Sequence, residues 1–340
     1  MSEGRAAPQR APGDELAAEL ERMLRERLGP GAAIAKLERR PHAYRTSFPL
    51  EELDVTLADG ARLRLMLKDS SRDALSADAF KAKPEFLHDP DREIETYRRI
   101  LAPARLGTPE LYGTSVDEQR GRHWLVIEYV DGEVLWQIGE HDVWEEAARW
   151  LARMHERFGG RLDESWTHLI FYDAPFYRAW MARALRFARE AEPAHRAQVE
   201  WLAERYDEVV ERLAHMPRTF VHGEFYPSNV MIVRRPGSLR ICPIDWEVAA
   251  IAPGLVDLAA LTTGGWSDTE RAALVRAYAD CRKGDATPAD GLRELERELD
   301  FCRLHLAVQW LGWEPTWSPP AEHRQDWLTE AARLAAALGL

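Results

Sequence analysis

Two short stretches of this 340-residue chain hold side chains able to do chemistry together: His222-Gly-Glu-Phe-Tyr-Pro-Ser-Asn229 and Ile244-Asp245-Trp246-Glu247. Asn229 and Asp245 offer the hard oxygens that Mg2+ takes, an ion that keeps substrate phosphates among its remaining ligands. A further carboxylate, Glu224, can orient or deprotonate an attacking hydroxyl. These residue types point to phosphoryl transfer onto an alcohol, on condition that the fold gathers them.

The elements that must gather them are legible as changes of period. A strand over 218–222 runs into the polar loop, and strands over 230–233 and 239–244 turn back through Arg235-Pro236-Gly237. Neighbouring strand ends in one sheet are expected to set Glu224, Asn229 and Asp245 around one cleft. Upstream, Leu16, Leu20, Met23, Leu24 and Leu28 follow helical spacing up to Gly29-Pro30, after a loose tail over 1–13. Leu53, Val55 and Leu57, then Leu63, Leu65 and Leu67, alternate around Ala58-Asp59-Gly60 and predict a hairpin, with Lys68 opposite the leucine row. A helix over 91–101 is expected to stop at Pro103, and strands fit 110–115 and 123–130.

At Asp131-Gly132 the pattern breaks, which sets a boundary between a β-rich region, 1–130, and a helical one, 131–340. Val143, Ala147, Trp150, Leu151, Met154 and Phe158 form one helical stripe, and further helices fit 174–190 and 196–215. Helices fill the remainder, apart from a break at 315–320. The expected class is α+β, a small β-rich lobe followed by a larger helical lobe holding a few short strands.

Composition excludes several alternatives. A net charge of -12 argues against nucleic acid as a partner, since binding it needs a basic face. Cys242, Cys281 and Cys302 form no CxxC pair and read as reduced, packed thiols. No apolar block suits a signal peptide or a membrane helix, so a cytoplasmic protein with no membrane partner is expected. There is no HExxH for zinc and no GxxxxGK[ST] for a P-loop.

His222 to Asn229 matches, position by position, the kinase catalytic-loop pattern H-R-D-L-x-x-x-N, with Gly for Arg, Glu for Asp and Phe for Leu. With Gly after His, then Ile-Asp-Trp-Glu, the block resembles the aminoglycoside phosphotransferase and choline kinase branch of the protein-kinase-like fold. Leu151-Ala-Arg-Met-His155, Gly254-x-x-Asp257-Leu258-Ala259, and Arg92-Glu93 with Tyr97 and Thr108-Pro109 are similar to further parts of that branch. The likeness runs over about 30–315 and is strongest over 222–259.

The resemblance implies a two-lobed kinase-like fold with ATP (or GTP) and Mg2+ between the lobes. It gives Lys68 the nucleotide phosphates and a pairing with Glu93, or with Glu95, which lies on another helix face. Glu128-Tyr129-Val130 becomes the hinge whose backbone meets the base. Asn229 and Asp245 become the magnesium ligands, Glu224 the base, His222 a brace for the loop, and Asp257 structural support. The acceptor would be a sugar, amino sugar or other small hydroxylated metabolite, docked on the helices about 160–215 and the C-terminal helices.

The chain departs from the pattern in two places. Glu224 stands where the family has Asp, which moves the carboxylate by about 1 Å. A displaced acceptor, a shifted loop, or a nucleotide-binding pseudokinase that acts as an interaction module would each accommodate this, and a Ser or Thr of a peptide is an alternative acceptor. No Gly-rich loop precedes Lys68, so Tyr44 to Ser47 either cover the phosphates with backbone N–H groups or form an ordinary connection. Trp246 and Glu247, after the metal turn, are candidates for substrate contact. Trp310, Trp313 and Trp317 are either acceptor-pocket or packing residues.

Overall fold

The alternating leucines do form the hairpin, strands Leu50–Leu57 (β2) and Arg62–Asp69 (β3), in the computed structural model of the protein. It describes residues 12–42, 48–76, 79, 82–161, 163–283, 287–313 and 324–340. With Ile34–Pro41 (β1), Leu111–Asp117 (β4) and Arg122–Glu128 (β5), these strands make a five-stranded sheet in the order β1-β2-β3-β5-β4. Because side chains alternate along a strand, Leu53, Val55, Leu57, Leu65 and Leu67 share one face. The helix Pro12–Leu28 lays Leu16, Leu20, Met23 and Leu24 on that face, and all are buried. Each such leucine removed from water contributes about 1.5–3 kcal/mol.

β1 was not foreseen, and its composition explains why. It is an edge strand with most side chains exposed, so no apolar alternation marks it. Its ladder to β2 and charged pairs hold it instead, among them Arg39 to both carboxylate oxygens of Glu51 at 2.8 Å. Residues 44–47, considered above as a phosphate cover, lie outside the described residues, as do Trp317 and most of the N-terminal tail.

By its packing the chain divides into two units, Met1–Ala77 with Pro109–Tyr129, and Asp78–Thr108 with Val130–Leu340. One boundary falls after Tyr129. The helix carrying Glu93, expected in the β-rich region, belongs to the second unit instead. Its ends explain this: Arg92 donates to the carbonyls of His168 and Glu247, and Arg240 donates to those of Gly107 and Thr108. That helix is α-helical over Arg92–Thr96, takes a π turn over Tyr97–Leu101, and closes at Ala102–Ala104. Pro103 sits inside its last turn, and Arg105, left-handed at φ 51°, ends it.

The rest of the second unit is mainly helical. The helix His141–Phe158 buries the predicted stripe, while the single helix expected over 196–215 is two, Pro193–Ala203 and Tyr206–His215. Two small sheets lie among the helices. Glu133–Val134 (β6), Val230–Arg235 (β9) and Ser238–Pro243 (β10) form one; Ile170–Phe171 (β7), Arg218–Val221 (β8) and Ala250–Pro253 (β11) form the other. The expectation of a single sheet is therefore corrected. The strand entering the loop pairs with β11, which four residues of weak pattern had concealed, and not with the hairpin that follows.

Candidate active site

β8 delivers the chain to His222, which is fully buried. Its Nδ1 accepts from the Glu224 N–H at 3.2 Å, so its Nε2 carries the proton and donates to the Ile244 carbonyl at 2.8 Å. One imidazole thus spans from the loop to the residue before Asp245. Behind it, the buried Asp257 takes the N–H of His222 on Oδ2 at 2.8 Å and that of Gly223 on Oδ1 at 2.9 Å. His155 completes the support, with Nε2 3.2 Å from Asp257 and Nδ1 2.9 Å from the Tyr278 hydroxyl. Burial lowers the pKa of His155 against the opposing pull of Asp257, and burial raises that of Tyr278. The neutral relay therefore runs from Tyr278 O–H to His155 and from His155 N–H to the carboxylate.

Two glycines of the motif are explained by space. Gly223 has φ +87°, and a Cβ there would stand 2.4 Å from the Val248 carbonyl oxygen. A Cβ on Gly254 would stand 2.7 Å from His155 Nδ1, which accounts for the Gly-x-x-Asp spacing: the glycine admits the histidine that the aspartate holds.

Within the loop, the Glu224 carbonyl accepts from the Tyr226 N–H at 2.6 Å and from Asn229 Nδ2 at 3.0 Å. With its nitrogen so used, Asn229 offers its amide oxygen. The Asn229 carbonyl accepts from the Ile244 N–H at 2.9 Å, which extends the β9–β10 ladder by one step and sets Asp245 just beyond it. Asp245 adopts φ +63°, a left-handed conformation that costs a non-glycine residue about 1 kcal/mol or more, though least for Asp and Asn. Glu224, Asn229 and Asp245 are each half-buried, whereas His222 and Asp257 behind them are sealed. The second unit thus ties Glu224 and Asn229 directly by a hydrogen bond and sets Asp245 one residue beyond the Ile244 N–H that Asn229 holds.

Of the two candidates for substrate contact, Trp246 is sealed in the interior and Glu247 is engaged by an internal partner. Trp246 is fully buried; its ring stacks on Phe220 at 5.4 Å and tilts over His222 at 4.5 Å. Glu247 is ion-paired to Lys83 at 2.5 Å, with both side chains largely covered. Glu93 directs Oε1 at the Trp246 N–H, 3.0 Å away, and Glu95 is taken by Arg98 and Arg99 on its own helix. Trp313 packs near Trp180, while Trp310 stacks on Trp327 at 5.3 Å and meets the Tyr226 ring at 5.8 Å. Two phenols went unnoticed in the sequence. Burial raises the pKa of Tyr226, and the charge of Glu224 adds to it. Burial also raises that of Tyr172, with Asp257, then Glu224, adding to it. Tyr226 lies within the loop motif, but no spacing marks Tyr172.

In the first unit, Lys68 lies on β3, buried, on the face opposite the leucines, 5.6 Å from the Phe48 ring centre. Glu128 ends β5; its N–H donates to Glu110, its carboxylate accepts from the Glu110 N–H, and the Tyr129 N–H donates to Arg64. Of the expected hinge, the N–H groups of Glu128 and Tyr129 are thus spent inside the sheet. Among the described residues, no cluster of three or more His, Cys, Asp or Glu suits a metal, and no helix is long and apolar enough to cross a membrane.

Comparison with known proteins agrees with this fold. The profile of the phosphotransferase enzyme family, APH, matches residues 52–295. A search of curated proteins gave no match. Among solved structures, the GDP complex of aminoglycoside 2'-phosphotransferase-IIIa is similar at a TM-score of 0.55 and 15% identity, over 94% of this chain and 97% of that one. The macrolide 2'-phosphotransferase MphH of Brachybacterium faecium is similar at 0.51 and 17%, over 94% and 98%. The choline kinase LicA of Streptococcus pneumoniae is similar at 0.50 and 14%, over 94% and 99%. With well over half its length matched, the chain belongs to the phosphotransferase enzyme family: it is an ATP-dependent phosphotransferase acting on hydroxyl groups, with a protein-kinase-like α+β fold.

Proposed function

We propose that this enzyme moves the terminal phosphate of magnesium-bound ATP (or GTP) to a hydroxyl of a small molecule such as a sugar, an amino sugar or another metabolite. The observation that carries the reading is the tie between the Asn229 amide and the Glu224 carbonyl, continued to Ile244, which leaves three half-exposed oxygen groups on a sealed base. A small acceptor is supported by the printed names of the similar structures, which concern aminoglycosides, a macrolide and choline.

Glu224 is the group that holds the acceptor hydroxyl and takes its proton, a role worth about 10²–10⁴-fold in rate. Asn229 and Asp245 fit magnesium by the chemistry of their donors, two hard oxygens that leave most of the coordination to phosphates and water. Bound there, the ion would neutralise charge on the transferring phosphates. Lys68, buried on the sheet face that the N-terminal helix leaves uncovered, serves the nucleotide phosphates. Tyr226 and Trp310, in ring contact near Glu224, are the proposed first contacts of the acceptor.

Phosphorus NMR of the protein with Mg-ATP and a panel of hydroxylated metabolites tests this. A new phosphate ester is expected, lost in Glu224→Ala and Asp245→Ala. Identical phosphate release by all three proteins with every acceptor, nucleotide binding being retained, would overturn it.

A further inference from the structure

We propose that Lys83 is a positioning residue for phosphoryl transfer: through its buried ion pair with Glu247 it holds the turn that presents Asp245. The proposal rests on the reading of Asp245 as a metal ligand given above, and extends it to Lys83, which no motif covers.

The argument starts from the backbone. An aspartate at φ +63° relaxes unless its neighbours fix it, and the two residues after Asp245 are held through backbone and side-chain groups alike. The Trp246 N–H is taken by Glu93 Oε1 at 3.0 Å, its indole N–H by the Pro243 carbonyl at 3.2 Å, and its ring is sealed against Phe220 and His222. The Glu247 carbonyl accepts from Arg92 Nη1 at 3.0 Å, and its carboxylate meets Lys83 Nζ at 2.5 Å. Arg92 is itself anchored, donating to the Leu87 carbonyl at 2.9 Å and the His168 carbonyl at 3.1 Å. Lys83, Arg92 and Glu93 thus grip Trp246 and Glu247 from one short segment.

The Lys83–Glu247 pair is the part of this grip that stability does not require. A buried ion pair gains little over well-packed neutral side chains, because its attraction must first offset the desolvation of both charges. What the pair supplies is direction: with 6% and 13% of the two side chains exposed, the ammonium fixes where the Glu247 carboxylate sits. The backbone two residues from Asp245 is fixed with it. Removing one partner strands a buried charge, whereas removing both does not, so the double variant separates positioning from folding.

The test compares Lys83→Met, the double variant Lys83→Met/Glu247→Gln, and Asp245→Asn with wild type. The first readout uses protein free of metal and nucleotide: hydrogen exchange of the peptide covering 244–250. The double variant is expected to melt within a few degrees of wild type, to exchange this segment at least 10-fold faster, and to keep 222–229 protected. The second readout is Mg2+ dependence at saturating ATP. Half-maximal activity is expected to need at least 10-fold more Mg2+ in the double variant, with a smaller loss of kcat once Mg2+ saturates. Wild-type exchange and Mg2+ dependence in the double variant, alongside an altered Mg2+ dependence in Asp245→Asn, overturn the positioning role alone. An unaltered Mg2+ dependence in Asp245→Asn overturns the metal reading itself, and the proposal with it.

Discussion

The loop 222–229 and the turn 245–247 are one backbone hydrogen bond apart, and they are held in opposite ways. Behind the loop stands a chain of buried groups in which each polar atom named has its partner: Tyr278, His155, Asp257, then two consecutive backbone N–H groups. The turn is held by charged side chains, Lys83, Arg92 and Glu93, supplied from far earlier in the sequence. A single carboxylate accepting three hydrogen bonds has no substitute if removed, while a grip shared among several side chains loses strength in steps. The loop is therefore expected to fail all at once and the turn by degrees.

Asp257→Ala gives the largest effect expected from this contrast. It strips an acceptor from the buried His155 and His222 N–H groups and from the half-buried Gly223 N–H. At about 1–3 kcal/mol for each buried donor left unmet, a destabilisation of about 3 kcal/mol or more follows, together with loss of activity. Urea unfolding of the variant checks this. A change below about 1 kcal/mol would mean that water or a neighbour takes over, and that the loop is no more tightly framed than the turn.

The same contrast explains what was legible in the sequence. The loop's frame is written at fixed spacings, His222 to Asn229 and Gly254 to Asp257, because each residue meets a partner only if the backbone between them takes one path. The hairpin was legible for a similar reason, as six leucine and valine positions alternate onto one face. Of the turn's grip, Arg92-Glu93 was marked, but Lys83 left no such trace. An ion pair between Lys83 and Glu247 imposes no spacing, and Trp246 looks the same in a string of letters whether it lines a pocket or is sealed under Phe220. Pairing partners were hidden too. β8 and β9 are neighbours along the chain and belong to different sheets, and edge strand β1 has no apolar face to advertise.

Glu224→Asp sharpens the comparison at the chemical centre. The backbone at 224 is pinned on both sides, its N–H to His222 and its carbonyl to Tyr226 and Asn229, so the loop cannot advance to compensate for a shorter side chain. The carboxylate would withdraw by about 1 Å, and kcat/KM is expected to fall about 10- to 100-fold, with unfolding free energy changed little. A variant as active as wild type, or more so, would mean that the acceptor site is built for Asp and that Glu224 is a tolerated substitution.

The smallest expected effect concerns pH, and it too separates the two regions. His155, inside the loop's frame, has its pKa held below the ordinary 6.5 by burial, against the opposing pull of Asp257. As pH falls below about 6.5 the unfolded chain takes up the proton while the folded chain resists, so the unfolded state binds more protons and stability drops. Above 6.5 the contribution is complete. His305, buried deeper in the helical region with its Nδ1 2.7 Å from the Tyr206 hydroxyl, is pushed down to about 3 and adds a slope of the same sign between those limits. Each histidine contributes at most about 1.4 kcal/mol per pH unit. Unfolding titrations at pH 7.5, 6.5 and 5.5 should therefore show stability falling only below the middle value, and His155→Gln should flatten part of that fall. An equal slope in wild type and His155→Gln would show that His155 is charged in the folded protein, and the neutral relay that ties Tyr278 to Asp257 would have to be redrawn as an ion pair.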